Sequence, residues 1–348
     1  ALVLFSFYHK QISKKNTTKD QDAGVDSLDF RDSAVSYSHR TTDSERALEL
    51  EILDWSAAVF DLDDLLRASA ELLGKGRIGS TYKAALDSGT VAAVKRVSIM
   101  NSLNRKETIK HMQILGNLKH ENLARLVSFY ISKNEKLIVT EFFPHGNLFD
   151  LLHRNRGSDR IPLDLDTRLI LINDIATGMA FLHQSLLSHK VPHANLKSSN
   201  VLIHRVGGTY RAKLTDFGFL PLLPAGTSSP KIAVCRSPEF GLGKKLSRKT
   251  DVYCFGIVLL EIITGRIPLD VSPEIEDDIY DLSDWVRQVV NQDWSTDIFD
   301  IEIAAAGESH DEMVLLTDLA LQCTNDSPPK RPSMDSVLTR IHNILHND

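Results

Sequence analysis

The stretch LLGKGRIGSTYKAALDSGTVAAVKRVS, residues 72–98, constrains the fold more than any other. Gly74, Gly76 and Gly79 fall in a G-x-G-x-x-G pattern. Glycine lets a backbone approach phosphates closely and aim its N–H groups at them. In a dinucleotide-binding unit this pattern opens a helix. Here strand-forming residues follow instead. STYKAAL and TVAAVKRV flank the turn signal Asp87-Ser88-Gly89, which predicts a hairpin. No G-K-[ST] ending follows the glycines, which argues against a P-loop. Thr81 lies just behind the loop, and Lys95 ends V-A-A-V-K.

Around this hairpin the elements change character along the chain. Upstream, in WSAAVFDLDDLLRASAELLGKG, Leu62, Leu65, Leu66 and Ala70 fall at helical spacing and predict a short helix. Downstream, residues 104–118 read as a helix and EKLIVTEFF as a strand. From Thr167 onward helices dominate. Ile170, Leu171, Ile175, Met179 and Leu182 mark one. DVYCFGIVLLEIIT, closed by Gly265, marks another that is apolar all round and so buried. Strands first and helices later predict an α+β chain, a small β-rich lobe joined to a larger helical one.

Two further motifs follow in order. KLTDFG contains Asp216-Phe217-Gly218, and VPHANLKSSNVLIH (residues 191–204) has the skeleton H-x-x-L-K-x-x-N. A glycine loop, a strand lysine, this loop and D-F-G, in that order, match a protein kinase. In that chemistry the D-F-G Asp and the loop Asn hold magnesium on the nucleotide phosphates, which assigns Asp216 and Asn200 as metal ligands. Hard oxygen donors suit Mg2+, and few protein ligands suffice because phosphates and water complete its shell.

FDLDDLLRASAELLGKG, KLIVTEFFPHGNLFDLLH, VPHANLKSSNVL, RSPEF, KTDVYCFGIVLLEIITGRIP and KRPSM resemble the signatures of plant leucine-rich-repeat receptor-like kinases, the pollen receptor-like kinase group above all. The resemblance covers roughly residues 60–343. It implies a bilobal protein-kinase fold over 60–345, with an N-lobe of about 60–141 and a C-lobe of about 145–345. It implies ATP and Mg2+ as ligands, with Leu73 and Ala93 above the adenine and Leu202 below it. Thr140 resembles the gatekeeper, and Glu141 opens the hinge. Glu239 and Arg331 are expected to form an ion pair in the C-lobe, and Asp251 to anchor the backbone of the catalytic loop. Such receptors have an ectodomain, one membrane span and a cytosolic kinase-like domain. On that pattern the expected partners are co-receptor kinases and regulators of small GTPases, at the cytosolic face of the plasma membrane.

Three departures cluster on the chemistry. Asn195 stands where the family has its catalytic Asp, and a carboxamide is no proton acceptor of that kind. Loss of a general base costs about 10²–10⁴-fold. Ala194 replaces the Arg that clamps a phosphorylated activation loop, so phosphorylation at Thr227, Ser228 or Ser229 would not be read through it. Counting nine residues back from His120 of H-x-N-L places His111 where the family's Glu pairs with the strand lysine; Glu107 lies one helical turn earlier. Lys197, which contacts the transferring phosphate in kinases, is retained. The leading expectation is a pseudokinase that signals through protein contacts, with weak ATP binding at most. A slow Ser/Thr kinase and a scaffold that binds no nucleotide are the alternatives.

The rest of the sequence sets bounds. A net charge of −6 leaves no footprint for nucleic acid. Cys235, Cys254 and Cys323 show neither zinc spacing nor a disulfide framework, and the thirteen histidines show no H-E-x-x-H. ALVLFSFY at the start, followed by Lys10, Lys14, Lys15 and Lys19, reads as the inner end of a truncated span over residues 1–9. Residues 10–59 read as a mostly disordered juxtamembrane linker. The acidic DVSPEIEDDIYDLSDW reads as a solvated loop leading into a helix.

Overall fold

A computed structural model describes residues 50–54, 56, 60–98, 105–132, 135–154, 162–223, 232–268, 281–292, 298–304 and 310–346. The span and most of the linker read from residues 1–59, the candidate phosphorylation sites Thr227–Ser229 and most of the acidic stretch lie outside the described residues. The chain forms two compact units. One takes the described residues up to Ser98 together with Leu126–Phe142; the other takes the remainder, including residues 105–125.

The first unit is an antiparallel sheet: β1 (Glu51–Ile52), β2 (Ser69–Lys75), β3 (Gly79–Ala85), β4 (Val91–Val97), β5 (Leu126–Ile131) and β6 (Lys136–Glu141), in the order β1-β5-β6-β4-β3-β2. Helix α1 (Leu62–Arg67) precedes β2. Asp61 starts it with a capping box: its carboxylate accepts from the Asp64 N–H, and the Asp64 carboxylate accepts from the Asp61 N–H. Ala70, expected on the helix by its spacing, lies in β2 opposite Ala84. The helix stops at Arg67 because the Ala68 backbone turns extended, and ladder bonds then take over. Ala84, Ala92, Val94, Leu137 and Val139 share a core with Phe60, Leu65 and Tyr130. Strand side chains alternate between faces, so Thr81, Ala93, Lys95 and Thr140 occupy the opposite face.

The second unit contains α2 (Arg105–Gly116), α3 (Leu148–His153), α4 (Leu165–Ser185), the hairpin β7 (Val201–Val206) and β8 (Thr209–Leu214), α5 (Pro238–Gly241), α6 (Arg248–Thr264), α7 (Leu282–Gln292), α8 (Ile301–Ala304), α9 (His310–Cys323) and α10 (Met334–His346). Helix α6 is buried from Thr250 to Thr264. It begins at a Ser247–Thr250 capping box and ends at Gly265, whose φ of 62° closes the last turn. Buried carboxylates tie these elements together. Asp174 of α4 accepts two bonds from the Arg211 guanidinium and one from the Ala212 N–H of β8. Arg168, fully buried, donates to Asp300, Glu302 and the carbonyls of Leu163 and Ile262.

Candidate functional site

In the sheet unit, the residues expected near a nucleotide fall on adjacent rungs of the ladder. Thr81 lies opposite Lys95, and Ala93 opposite Thr140. Glu141 ends β6 opposite Ala92. Leu73 sits at the β2 irregularity between Leu72 and Gly74, with 46% of its surface exposed. The three glycines differ in what the fold asks of them. A Cβ on Gly79 would meet the Arg96 carbonyl oxygen at 2.0 Å, so the sheet itself demands glycine there. A Cβ on Gly74 would meet nothing within 4 Å, and one on Gly76 only the Gly79 oxygen at 3.8 Å. Neither has a positive φ. At these two positions the fold itself leaves room for a side chain and does not require glycine.

In the helical unit, Asp251 of α6, wholly buried, organises the loop at 193–195. Its carboxylate accepts from the backbone N–H groups of His193 at 2.9 Å and Ala194 at 2.7 Å, and lies 3.3 Å from His183 Nε2. This bonding holds Ala194 at φ 66°. Asp216 is left-handed as well, at φ 61°, and these two are the only non-glycine residues with positive φ among the described residues. Such backbone strain persists where the surroundings over-determine it. His193 is fully buried and edge-on to Phe217. Burial pulls its pKa down, so the ring is neutral, and its Nδ1 accepts from the Asn195 N–H.

Asn195 itself is 6% exposed. Its side-chain oxygen accepts from the Ala233 N–H at 3.1 Å, while the Val234 N–H donates to the Ala194 carbonyl. These two bonds close the loop onto the turn at Ala233–Arg236. Asn200 donates from Nδ2 to the Asn195 carbonyl at 2.8 Å, which fixes its amide orientation and leaves its carboxamide oxygen as the remaining acceptor. That oxygen and the Asp216 carboxylate are hard donors, the type that Mg2+ takes. Among the described residues no group of three or more His, Cys, Asp or Glu could hold a metal alone. A magnesium completed by phosphates and water fits two protein oxygens.

Lys197 precedes the short turn Ser198–Asn200. Ser198 donates to Glu261 of α6 at 2.6 Å, and His153 of α3 meets the same carboxylate oxygen at 2.9 Å. No sequence motif marks this pair. The available signal was one carboxylate inside the apolar run of α6. Leu202 lies on β7 opposite Lys213 and bridges to Asn147. Glu239 and Arg331 form a two-bond pair at 2.8 Å, with Thr250 donating to the same carboxylate. Burial pushes against ionisation of Glu239, but Arg331 and Thr250 hold its pKa below the usual value. His111 of α2 lies 2.7 Å from the Gly218 carbonyl oxygen.

The sheet ladder and the Asp251-anchored loop are those of a protein kinase, and the chain belongs to that family: the protein kinase domain model matches residues 68–342. Its relatives are Arabidopsis thaliana leucine-rich-repeat receptor-like kinases. The chain is 43% identical to leucine-rich repeat receptor-like protein kinase PXC1 over 82% of its own length and 44% of that protein. It is 41% identical to probable inactive receptor kinase At1g48480, over 82% of this chain and 43% of that one. Pollen receptor-like kinase 4 is 36% identical, over 94% and 48%. The chain thus spans less than half the length of these relatives. Among solved structures it resembles the maize SIRK1 kinase domain bound to AMP-PNP, with TM-score 0.72, 29% identity and coverage of 85% and 99%. It also resembles the pseudokinase domain of BIR2, an immune regulator of the RLK/Pelle family, with TM-score 0.70, 30% identity and coverage of 87% and 91%.

Proposed function

We propose that this chain is the pseudokinase domain of a membrane-tethered receptor-like kinase, signalling through protein contacts with little or no phosphotransfer. The observation that carries the reading is Asn195. A carboxamide stands at the position of the base, and its one acceptor oxygen is engaged by the Ala233 N–H. A kinase base must accept and orient the substrate hydroxyl proton. Relatives named inactive and the BIR2 pseudokinase domain support the reading.

The nucleotide residues of this proposal are Leu73, Gly74, Gly76, Gly79, Thr81, Ala93, Lys95, Thr140, Glu141 and Leu202, with Asn200 and Asp216 as magnesium ligands. The room at Gly74 and Gly76 and the acceptor left on Asn200 favour weak Mg2+·ATP binding over none. By analogy with the relatives, the domain works at the cytosolic face of the plasma membrane, beside co-receptor kinases and small-GTPase regulators. No described helix is long and apolar enough to cross a membrane.

The test is phosphate transfer by the wild type beside Asn195→Asp and Lys95→Met. Turnover of about 1–100 per second in the wild type, abolished by Lys95→Met, would overturn the proposal in favour of an active Ser/Thr kinase. Thermal stabilisation by ATP and magnesium separates the nucleotide-binding pseudokinase from a scaffold that binds none, because a ligand of the folded state raises its apparent stability.

A further inference from the structure

His111 fills the helix position where the family resemblance expects a glutamate, and within the helical unit it has a partner of its own. Its Nε2 lies 2.7 Å from the carbonyl oxygen of Gly218. A carbonyl only accepts, so Nε2 carries the proton. Burial lowers the pKa of the ring despite the bond to Gly218, and the ring is neutral. One helical turn further on, Leu115 closes on the same residue: a Cβ on Gly218 would meet Leu115 Cδ2 at 2.4 Å. Gly218 has φ 74°, so glycine is required there twice, by backbone conformation and by space. The His189 ring packs on His111 at 5.3 Å between centroids, and burial keeps it neutral too. Helix α2 and the Asp216-Phe217-Gly218 turn are therefore joined at two points, one polar and one steric.

We propose that His111 is a positioning residue, a hydrogen-bond latch that holds the Asp216-Phe217-Gly218 turn on α2. The bond needs a donor. A glutamate at 111 would set a carboxylate against the Gly218 carbonyl with no proton to give, so restoring the family's residue breaks the latch instead of repairing a kinase. This goes beyond the reading above, because the latch holds without nucleotide.

The experiment is hydrogen–deuterium exchange on the ligand-free chain at pH 7, following residues 214–220 and α2, with α6 as the reference. Glutamine and glutamate have the same shape, but only glutamine donates. His111→Gln is expected to exchange within about twofold of wild type. His111→Glu and His111→Ala are expected to exchange about three- to tenfold faster at the turn, the scale of one lost hydrogen bond, with α6 unchanged. Exchange in His111→Gln as fast as in His111→Ala, or wild-type protection in His111→Glu, overturns the proposal. Should His111→Glu fail to fold, the Gln and Ala pair decides by the same criterion. Failure of Mg2+·ATP to stabilise the wild type would count against the nucleotide reading and leave this exchange pattern untouched.

Discussion

The side-chain oxygen of Asn195 accepts a hydrogen bond from the Ala233 N–H at 3.1 Å, so this residue serves as a clasp between two loops. A carboxylate can accept the same bond. Asn195→Asp is therefore expected to fold with less than about 1 kcal/mol change in stability. Asn195→Ala strands the Ala233 N–H and should lose about 1–3 kcal/mol. Chemical denaturation of both variants checks this, and equal stabilities for Asn195→Ala and wild type would remove the clasp from consideration.

The glycine loop separates fold from ligand. Gly79→Ala drives a Cβ into the Arg96 carbonyl and should destabilise the sheet by about 1–3 kcal/mol, the usual cost of overpacking. Gly74→Ala and Gly76→Ala meet no protein atom closer than 3.8 Å, so both should keep wild-type stability. If nucleotide approaches this face, the same two variants lose the thermal shift given by Mg2+·ATP. Melting curves with and without ligand read both effects. A shift that survived in Gly76→Ala would place the nucleotide elsewhere.

Asp251 accepts from two buried backbone N–H groups, those of His193 and Ala194. Asp251→Asn keeps one acceptor oxygen and loses the other, so about 1–3 kcal/mol of stability should go with it. Asp251→Ala, which strands both groups, should cost more. Protease sensitivity of the loop at 193–200 reports the change locally, and a loop as resistant in Asp251→Ala as in wild type contradicts the assignment.

Stability should fall with acid in two stages. Burial lowers the pKa of His111, His189 and His193 below the ordinary 6.5. Each takes up a proton more readily when unfolded, so its contribution is complete above pH 6.5 and declines as pH falls below that towards its folded value. Glu239 is held below its ordinary 4.5 by Arg331 and Thr250. Its contribution is present above pH 4.5 and is lost as pH falls through its folded value. Unfolding free energies across this range test the order. The variant His111→Gln, His189→Gln should flatten the first stage, and an unchanged slope there would show that these rings do not produce it.

The motifs that define the candidate site are legible in the sequence. G-x-G-x-x-G followed by strand residues, Lys95, the loop skeleton and Asp216-Phe217-Gly218 are local spacings, and local spacing survives in sequence. The α1 boundary was misplaced at Ala70 because periodicity counts apolar residues without weighing the strand partner that Ala84 supplies. Asp174, Glu261 and Arg168 were invisible as network members. A charged residue in a helix reads as exposed unless its partner, often more than 30 residues away, is known.

Order and residue type, both carried by the chain itself, determined the kinase family and the β-then-α arrangement, and they put a carboxamide, Asn195, where the proposal expects the base. Only the tertiary structure decided what the substituted residues do instead. Asn195 clasps Ala233, and His111 bonds to Gly218 across 107 residues of chain. A hydrogen bond depends on where donor and acceptor meet in space, and for partners so distant in sequence only folding brings them within reach.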